Sequence, residues 1–476
     1  MFRYNFKYEL KSLLRSRWLL LLSLILLVVV LFAGYNGKEK VSKRIQELEK
    51  VVLEANDKDA AMVKVLDSLE RGLQVSVSPR MMPNMPMNVA YNYPRVAAIP
   101  AEPLTFIATG QSDLFTHFIK PSAYGDSFTL DYSELANPIQ LLFGSFDLSF
   151  VIIYILPLII IAFSYNILSE EKEYGSLKLL ASQPISIYQW ILQKTALRFF
   201  WLTLITLVVI TITLLLFGFD FSANFFQFFQ LLSLVFAYIL FWFTIVLLVN
   251  LVVNNSAKNA VSLLAIWVFV ILIIPAVVGQ LANSFYPIPS RTKMISEVRE
   301  LKEELSSKQD KILDNFLRDH PEYASKEGNG NYSFWHKYIA SQELVEEELK
   351  PLINSYEDQL TKQQDWVRLW QYSSPAILMQ QSFNNLAHTS TSHYQSYRNQ
   401  VALFSKEWRN FFKPLLYGNK NFTSNSYKEL PSFKYKAPKN NLVLFKVLVL
   451  LVFSAIFIFI GRQVYINKIK KGTVIS

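Results

Sequence analysis

Six long stretches without charge constrain this chain more than any other feature. Five are uninterrupted, at 18–37, 148–169, 199–219, 221–257 and 259–290, and a sixth, 442–461, is broken only by Lys446 near one end. A helix needs about 20 apolar residues to cross the hydrocarbon core of a bilayer, and all six runs reach that length. One such run is compatible with a buried helix of a soluble domain; six in one chain are not. The first run is too long for the apolar core of a cleaved leader, and no small-residue cleavage site precedes the charged stretch 38–44. It reads as a retained helix. The expected fold is an all-α polytopic membrane protein with six transmembrane helices and two large, mainly helical extracytoplasmic insertions. Composition agrees: 52% of the 476 residues are hydrophobic, Phe numbers 37, and only 18% are charged.

Charge becomes informative once it is sorted by side. Six crossings put both termini on one side, taken as the cytoplasm. The inner segments then hold fourteen cations: Arg3, Lys7, Lys11, Arg15, Arg17, Lys172, Lys178, Lys194, Arg198, Lys258, Arg462, Lys468, Lys470 and Lys471. Against them stand Glu9, Glu170, Glu171 and Glu173, so the inner side carries the whole net charge of +10. Short inner loops rich in Lys and Arg set orientation, whereas long translocated loops hardly count. The basic balance therefore reports a multi-pass protein of the cell inner membrane and its anionic lipids, not nucleic acid. There is no cysteine, which excludes disulfides, thiolate metal sites and a cysteine nucleophile.

This topology divides the chain into five parts. Residues 1–35 are an amphipathic N-terminal helix and the first crossing. In that helix Phe2, Phe6, Leu10, Leu13 and Leu14 share a face beside a basic stripe of Arg3, Lys7, Lys11 and Arg15; a plain positive-inside flank fits equally. Residues 36–147 are the first extracytoplasmic segment. It opens with a helical stretch at 38–71, where Val41, Ile45, Leu48, Val52 and Leu53 recur at helical spacing. Pro79, Pro83, Pro86, Pro94, Pro100 and Pro103 then favour extended or loop backbone. Met81, Met82, Met85 and Met87 fall in the same stretch. Thioethers are soft ligands for Cu(I), but an apolar loop packed on a neighbour accounts for them too, and no metal is assigned.

Residues 148–279 hold crossings two to five, with a cytoplasmic loop at 168–194. Residues 280–440 form a second extracytoplasmic domain, and 441–476 hold the last crossing and a basic tail. In the second domain 295–317 and 342–369 are charge-laced helical stretches separated by Gly328-Asn329-Gly330-Asn331, which suggests an antiparallel hairpin. Further helices are expected at 375–386 and 394–412. A hairpin alone has little core, so this domain should pack against the first extracytoplasmic segment.

No Asp, Glu, Arg or His interrupts the centres of the crossings, whereas an ion-coupled carrier needs such groups at depth. Pro157 and Pro275 are candidate kinks in crossings two and five. Energy must arrive from outside the membrane, and the inner loop after crossing two is the expected entry point. Glu170, Glu171 and Glu173 lie there on the side where cations prevail. A docking surface for a basic groove on a cytosolic protein explains them, with the carboxylates facing solvent until the partner binds; a solvated elbow is the plainer alternative. Gly175 permits a turn, Ser176 and Leu177 follow, and Pro184 ends the next short helix.

This loop resembles that of ABC-2-type permeases, in which Glu-x-Glu-x-Gly-Thr-Leu precedes a short coupling helix and a Pro-[Val/Ile]-Ser. Here Glu171-Lys172-Glu173-Tyr174-Gly175-Ser176-Leu177 is followed by Pro184-Ile185-Ser186, with Ser176 where threonine is commoner. Asn137-Pro138-Ile139, Gly144-Ser145-Phe146-Asp147-Leu148, Leu156-Pro157-Leu158, Gly110-Gln111-Ser112-Asp113-Leu114 and Ser374-Pro375-Ala376 are similar to a bacterial branch of that family. That branch has large extracytoplasmic insertions and is catalogued largely as a domain of unknown function.

The resemblance implies a permease that works with a second copy or sister permease on a cytosolic ABC ATPase dimer. ATP and Mg would be bound by that partner, with no cofactor in this chain. The sequence has no Gly-x4-Gly-Lys-[Ser/Thr] loop, and the run from Gly34 to Lys38 fails the spacing, so the chain is not expected to be an enzyme. Its five histidines make no His-Glu-x-x-His pattern, and His388 and His393 are spaced off one helical face. Export or extraction of a substrate is the implied function. Alternatives are an ATP-driven mechanical transducer acting on an envelope partner, and a membrane scaffold or sensor. The sparse polarity of the spans favours a lipidic cargo or the transducer over a hydrophilic channel.

Overall fold

The computed structural model describes residues 17–110, 112, 115–123, 146–177, 186–288, 291–306, 308–323, 332–438 and 442–470, together with 9, 11 and 15. Among these residues six helices are long and apolar enough to cross a membrane. The first, α1, runs unbroken over Arg17–Glu70. The stretch expected at 38–71 as a separate helix is therefore its continuation, and at 1.5 Å per residue α1 spans about 80 Å. Gly34 and Gly37 lie inside it and mark close packing. A Cβ on Gly34 would meet Thr213 and Phe217 side chains, and one on Gly37 would meet the backbone oxygen of Phe106.

The second crossing, α2, spans Leu148–Glu173. It is capped by Asp147, whose carboxylate accepts from the Phe150 N–H. A π turn at Val151–Ile155 leads into Leu156–Ser164, with Pro157 in its first turn. The third and fourth crossings are α3, Ile187–Leu216, and α4, Phe225–Val252. The fifth, α5, spans Ser256–Phe285 and repeats the pattern of α2, with a π turn at Val268–Ile273 just before Pro275. A proline has no N–H to give to the preceding turn, so a carbonyl is left over. In both helices another element supplies the donor. The Tyr238 hydroxyl of α4 donates to Ile153 O at 2.8 Å, and the Ser374 hydroxyl donates to Val270 O at 2.7 Å.

Beyond α5 come α6, Arg291–Ser306, α7, Gln309–Asp319, α8, Phe334–Leu369, α9, Pro375–Leu386, α10, Thr391–Tyr417, and the last crossing α11, Val443–Lys470. The stretch expected at 295–317 is thus two helices. α8 begins earlier than expected because Ser333 and His336 form a reciprocal cap there. α9 keeps its expected range but not its expected place. Ala376, Leu378, Met379 and Phe383 join the membrane-bundle core, and α9 packs on α4, α5 and α11. Ser374 reaches α5 about 21 Å along from Ser256.

The proline-rich stretch is less extended than expected. Pro79 opens a 3-10 turn and Pro86 opens a helix, Pro86–Asn92, because the first helical turn needs no N–H. The two long segments at one end of the bundle share one core, as their expected packing requires. Met62, Leu66, Met87 and Val89 pack with Tyr397, Phe404, Trp408 and Phe412. Trp408 Nε1 donates to Ala90 O at 3.1 Å, and the Tyr397 hydroxyl donates to Ala97 O at 2.9 Å. Ala97–Ala98 (β1) pairs antiparallel with Phe118–Ile119 (β2). A further core forms where α6 and α7 pack on α8, around Val298, Ile312, Phe316 and Leu349.

The bundle therefore has two unlike ends. One, the loop end, carries residues 169–177 and the start of α5; the other, the domain end, carries the two long segments.

Candidate functional site

At the loop end the last turn of α2, Ser169–Glu173, is followed by Tyr174 and by Gly175 at φ +72°. Glycine alone adopts that backbone without cost, and nothing lies within 4 Å of where a Cβ would sit, so its role is the turn itself. The three glutamates differ in their engagements. Glu170 accepts from Asn166 Nδ2 at 2.7 Å. Glu171 receives Lys194 Nζ of α3 at 2.9 Å on one oxygen and the Ser176 hydroxyl on the other. Lys194 also lies 3.7 Å from Glu9, which joins the N-terminal segment to the same cation. Glu173 accepts from the Ser256 N–H at 2.8 Å and its hydroxyl at 3.0 Å, so a carboxylate sits on the first turn of α5.

These contacts correct the expectation of solvent-facing carboxylates for Glu170 and Glu171, which are half-buried, whereas Glu173 stays exposed although it bonds to Ser256. Lys194 of α3 draws Glu171 inward, while the start of α5 holds Glu173 at the surface. Beside Glu173 on the outside are Tyr174, 79% exposed, and Gly175. Leu177 is buried in the bundle core. Pro184 and the short helix expected before it, like residues 137–139, 144–145 and 328–331 and most of the N-terminal helix, lie outside the described residues.

Behind the glutamates is a layer of buried amides and hydroxyls. Asn250 of α4 accepts from the Leu168 N–H at 3.3 Å and donates to Ser164 O at 3.2 Å. Asn259 of α5 donates to Asn250 Oδ1 at 3.3 Å and to Ser169 Oγ at 3.2 Å, and Ser169 also meets the Ser256 hydroxyl at 2.9 Å. Arg198 of α3 donates to Phe163 O at 2.6 Å. Asn254 accepts from Lys172 at 3.0 Å and from Lys468 of α11 at 3.2 Å. One polar layer thus ties α2 to α3, α4, α5 and α11. Sequence reasoning missed Asn250 and Asn259, whose signal was a polar residue at the edge of an otherwise apolar run.

The other candidates are dispersed. Pro157 and Pro275 each follow a π turn in the membrane region. Met87 is in the core shared by the two long segments, whereas Met81 and Met85 are exposed and Met82 is half-buried. His388 and His393, expected apart, stack with ring centroids 4.7 Å apart. His388 precedes α10 in a turn with φ +55°, so helical spacing does not govern the pair.

Architecture and site together define a polytopic, all-α membrane protein whose crossings converge on one small polar loop. Comparison with known families places it further. Residues 128–276 match the ABC-2 family transporter protein model. Residues 291–436 match a domain of unknown function, DUF3526. Within the membrane region, the stretch that holds α2 to α4 and most of α5 is thus similar to ABC-2 family transporter proteins, and the match to the second domain follows it in the chain. No curated protein matches the chain.

Proposed function

We propose that the chain is the permease subunit of an ABC transporter of the inner membrane, with both termini cytoplasmic, and that the loop at 168–194 receives the stroke of a partner ATPase. The observation that carries this reading is the division of labour at the loop. Glu171 and Glu173 bind it to α3 and α5, while Tyr174 and Gly175 project outward. A rigid elbow with one exposed aromatic tip suits the transmission of a push to several crossings. The partner is a cytosolic ATPase dimer that supplies ATP and Mg, the permease pairs with a second copy or sister, and the work done is export or extraction of a substrate. Tyr174→Ala should reduce co-purification of the ATPase at least fivefold without moving the melting temperature, since the side chain is exposed. Full retention of the ATPase would remove the loop from the interface. Glu173→Gln should keep the ATPase bound but lower ATP-dependent activity, because the tie to α5 is weakened.

One observation favours a mechanical transducer as a second reading. α1 runs without a break from the loop end to the extracytoplasmic core, where Met62 and Leu66 are buried. Tilting of α1 would then move that domain directly. ATP-dependent change in the accessibility of cysteines placed on the extracytoplasmic segments, in the absence of any cargo, would support this version.

A further inference from the structure

At the domain end, a cavity of about 380 Å³ lies among the start of α4, the end of α9 and the start of α11. That volume is within the range of small-molecule sites. Its walls include Asn224, Phe226, Gln227, Gln230, His388 and His393. Gln230 is 3% exposed, and its Nε2 has no hydrogen-bond partner. Gln227 Oε1 is likewise buried without a hydrogen bond, whereas His388 Nδ1 faces Glu102 Oε1 at 3.7 Å. Buried polar groups are nearly always satisfied, so an amide donor and an amide acceptor left open on one cavity describe the complement of a ligand.

The chemistry of the walls narrows that ligand. Among the described residues, no Asp, Glu, Lys or Arg lines the cavity. His393, pushed down to about 4 by burial, is neutral at ordinary pH. The cavity therefore offers donors and acceptors of neutral groups, as a hydroxyl requires, since a hydroxyl both gives and takes hydrogen bonds. A bare anion would call for donors alone. The mouth is apolar: Phe226 lines the cavity and is itself exposed, and Phe225 and Phe229 stand exposed beside it on α4. Gln230 lies about 8 Å along α4 from its first residue, at interfacial depth.

We propose that this cavity binds the hydroxyl-bearing head of a membrane amphiphile, with its tail along Phe225, Phe226 and Phe229. The inference deepens the transporter reading by naming a ligand class, and it rests on that reading only for the side of the membrane concerned.

The test uses the full-length chain in phosphatidylcholine nanodiscs without ATP, so failure of coupling at the loop would not affect it. The probe is an alkyl glucoside with a diazirine in its tail. Peptides containing Phe226 should be labelled, and Gln230→Leu should cut that labelling at least fivefold while the melting temperature holds or rises. If Gln230→Leu fails to fold, Asn385→Leu at the same cavity serves in its place, with the same expected loss. An alkyl phosphocholine probe of equal tail length should label several-fold less, and excess free glucose should compete only weakly. Equal labelling of wild type and variant, or equal labelling by a plain alkyl diazirine, would overturn the proposal. So would protection of the Phe226 face by a second copy of the chain.

Discussion

The membrane bundle and the domain at its other end are both helical, but different forces hold them. In the domain, segments far apart in sequence meet through aromatic side chains removed from water, among them Trp408, Tyr397, Phe412 and Phe422. In the bundle, lipid is as apolar as the side chains, so burial alone gives helices little reason to associate. There the close approach at Gly34 and Gly37 and the amide layer of Asn250 and Asn259 set the arrangement. The domain is thus held by the quantity of its contacts and the bundle by the placement of a few. A transporter needs crossings that shift against one another, and a small polar layer at the loop end suits that need better than a deep apolar core.

The largest expected effect tests the domain side. Trp408→Ala removes a fully buried indole and its bond to Ala90 O, at a cost of about 3–5 kcal/mol. Hydrogen exchange should rise sharply in 86–110 and 391–417 while the crossings stay protected. Equal loosening of both regions would mean that they form one cooperative unit, and the contrast would fail.

The next effect sharpens the same comparison through pH. Burial lowers His393 from its ordinary value to about 4, and Glu102 is lowered by its contact with His388. A histidine held neutral when folded binds more protons when unfolded. Its contribution is therefore complete above about pH 6.5 and is lost as pH falls toward 4. We expect the domain to lose on the order of 2 kcal/mol across that window. His393→Asn should flatten the dependence, and a domain transition that stays steep in the variant would assign it to other groups.

How much of this was legible follows from how far each signal reaches along the chain. Crossings are local: run length and the absence of charge suffice, and all six appear. Pro157 and Pro275 were visible as positions, but their answering donors Tyr238 and Ser374 sit on other elements and follow no spacing rule. The range of α9 was legible from its pattern. Its place was not, because Leu378, Met379 and Phe383 suit a soluble core as well as a membrane one. The glutamates were read as a surface because Lys194 and Arg198 counted only as positive-inside charge. Their position on α3, facing α2, is a tertiary fact.

The smallest expected effect lies in the amide layer and bears directly on the comparison. Asn250 touches α2 through the Leu168 N–H and Ser164 O, and α5 through Asn259. Hydrogen bonds between membrane helices are worth roughly 0.6 kcal/mol on average and at most about 2. Asn250→Leu should therefore lower bundle stability by about 1 kcal/mol, far less than the loss of Trp408. Its functional consequence should be larger than its stability cost, because α2 and α5 would no longer be held in register where Glu173 meets Ser256. The measurement is ATP-dependent activity of the reconstituted complex beside its melting temperature. A fall in activity of tenfold or more with a shift of only a few degrees would mark the layer as a transmission element. A proportionate loss of both would make it ordinary cohesion, and the bundle would then differ from the domain only in degree.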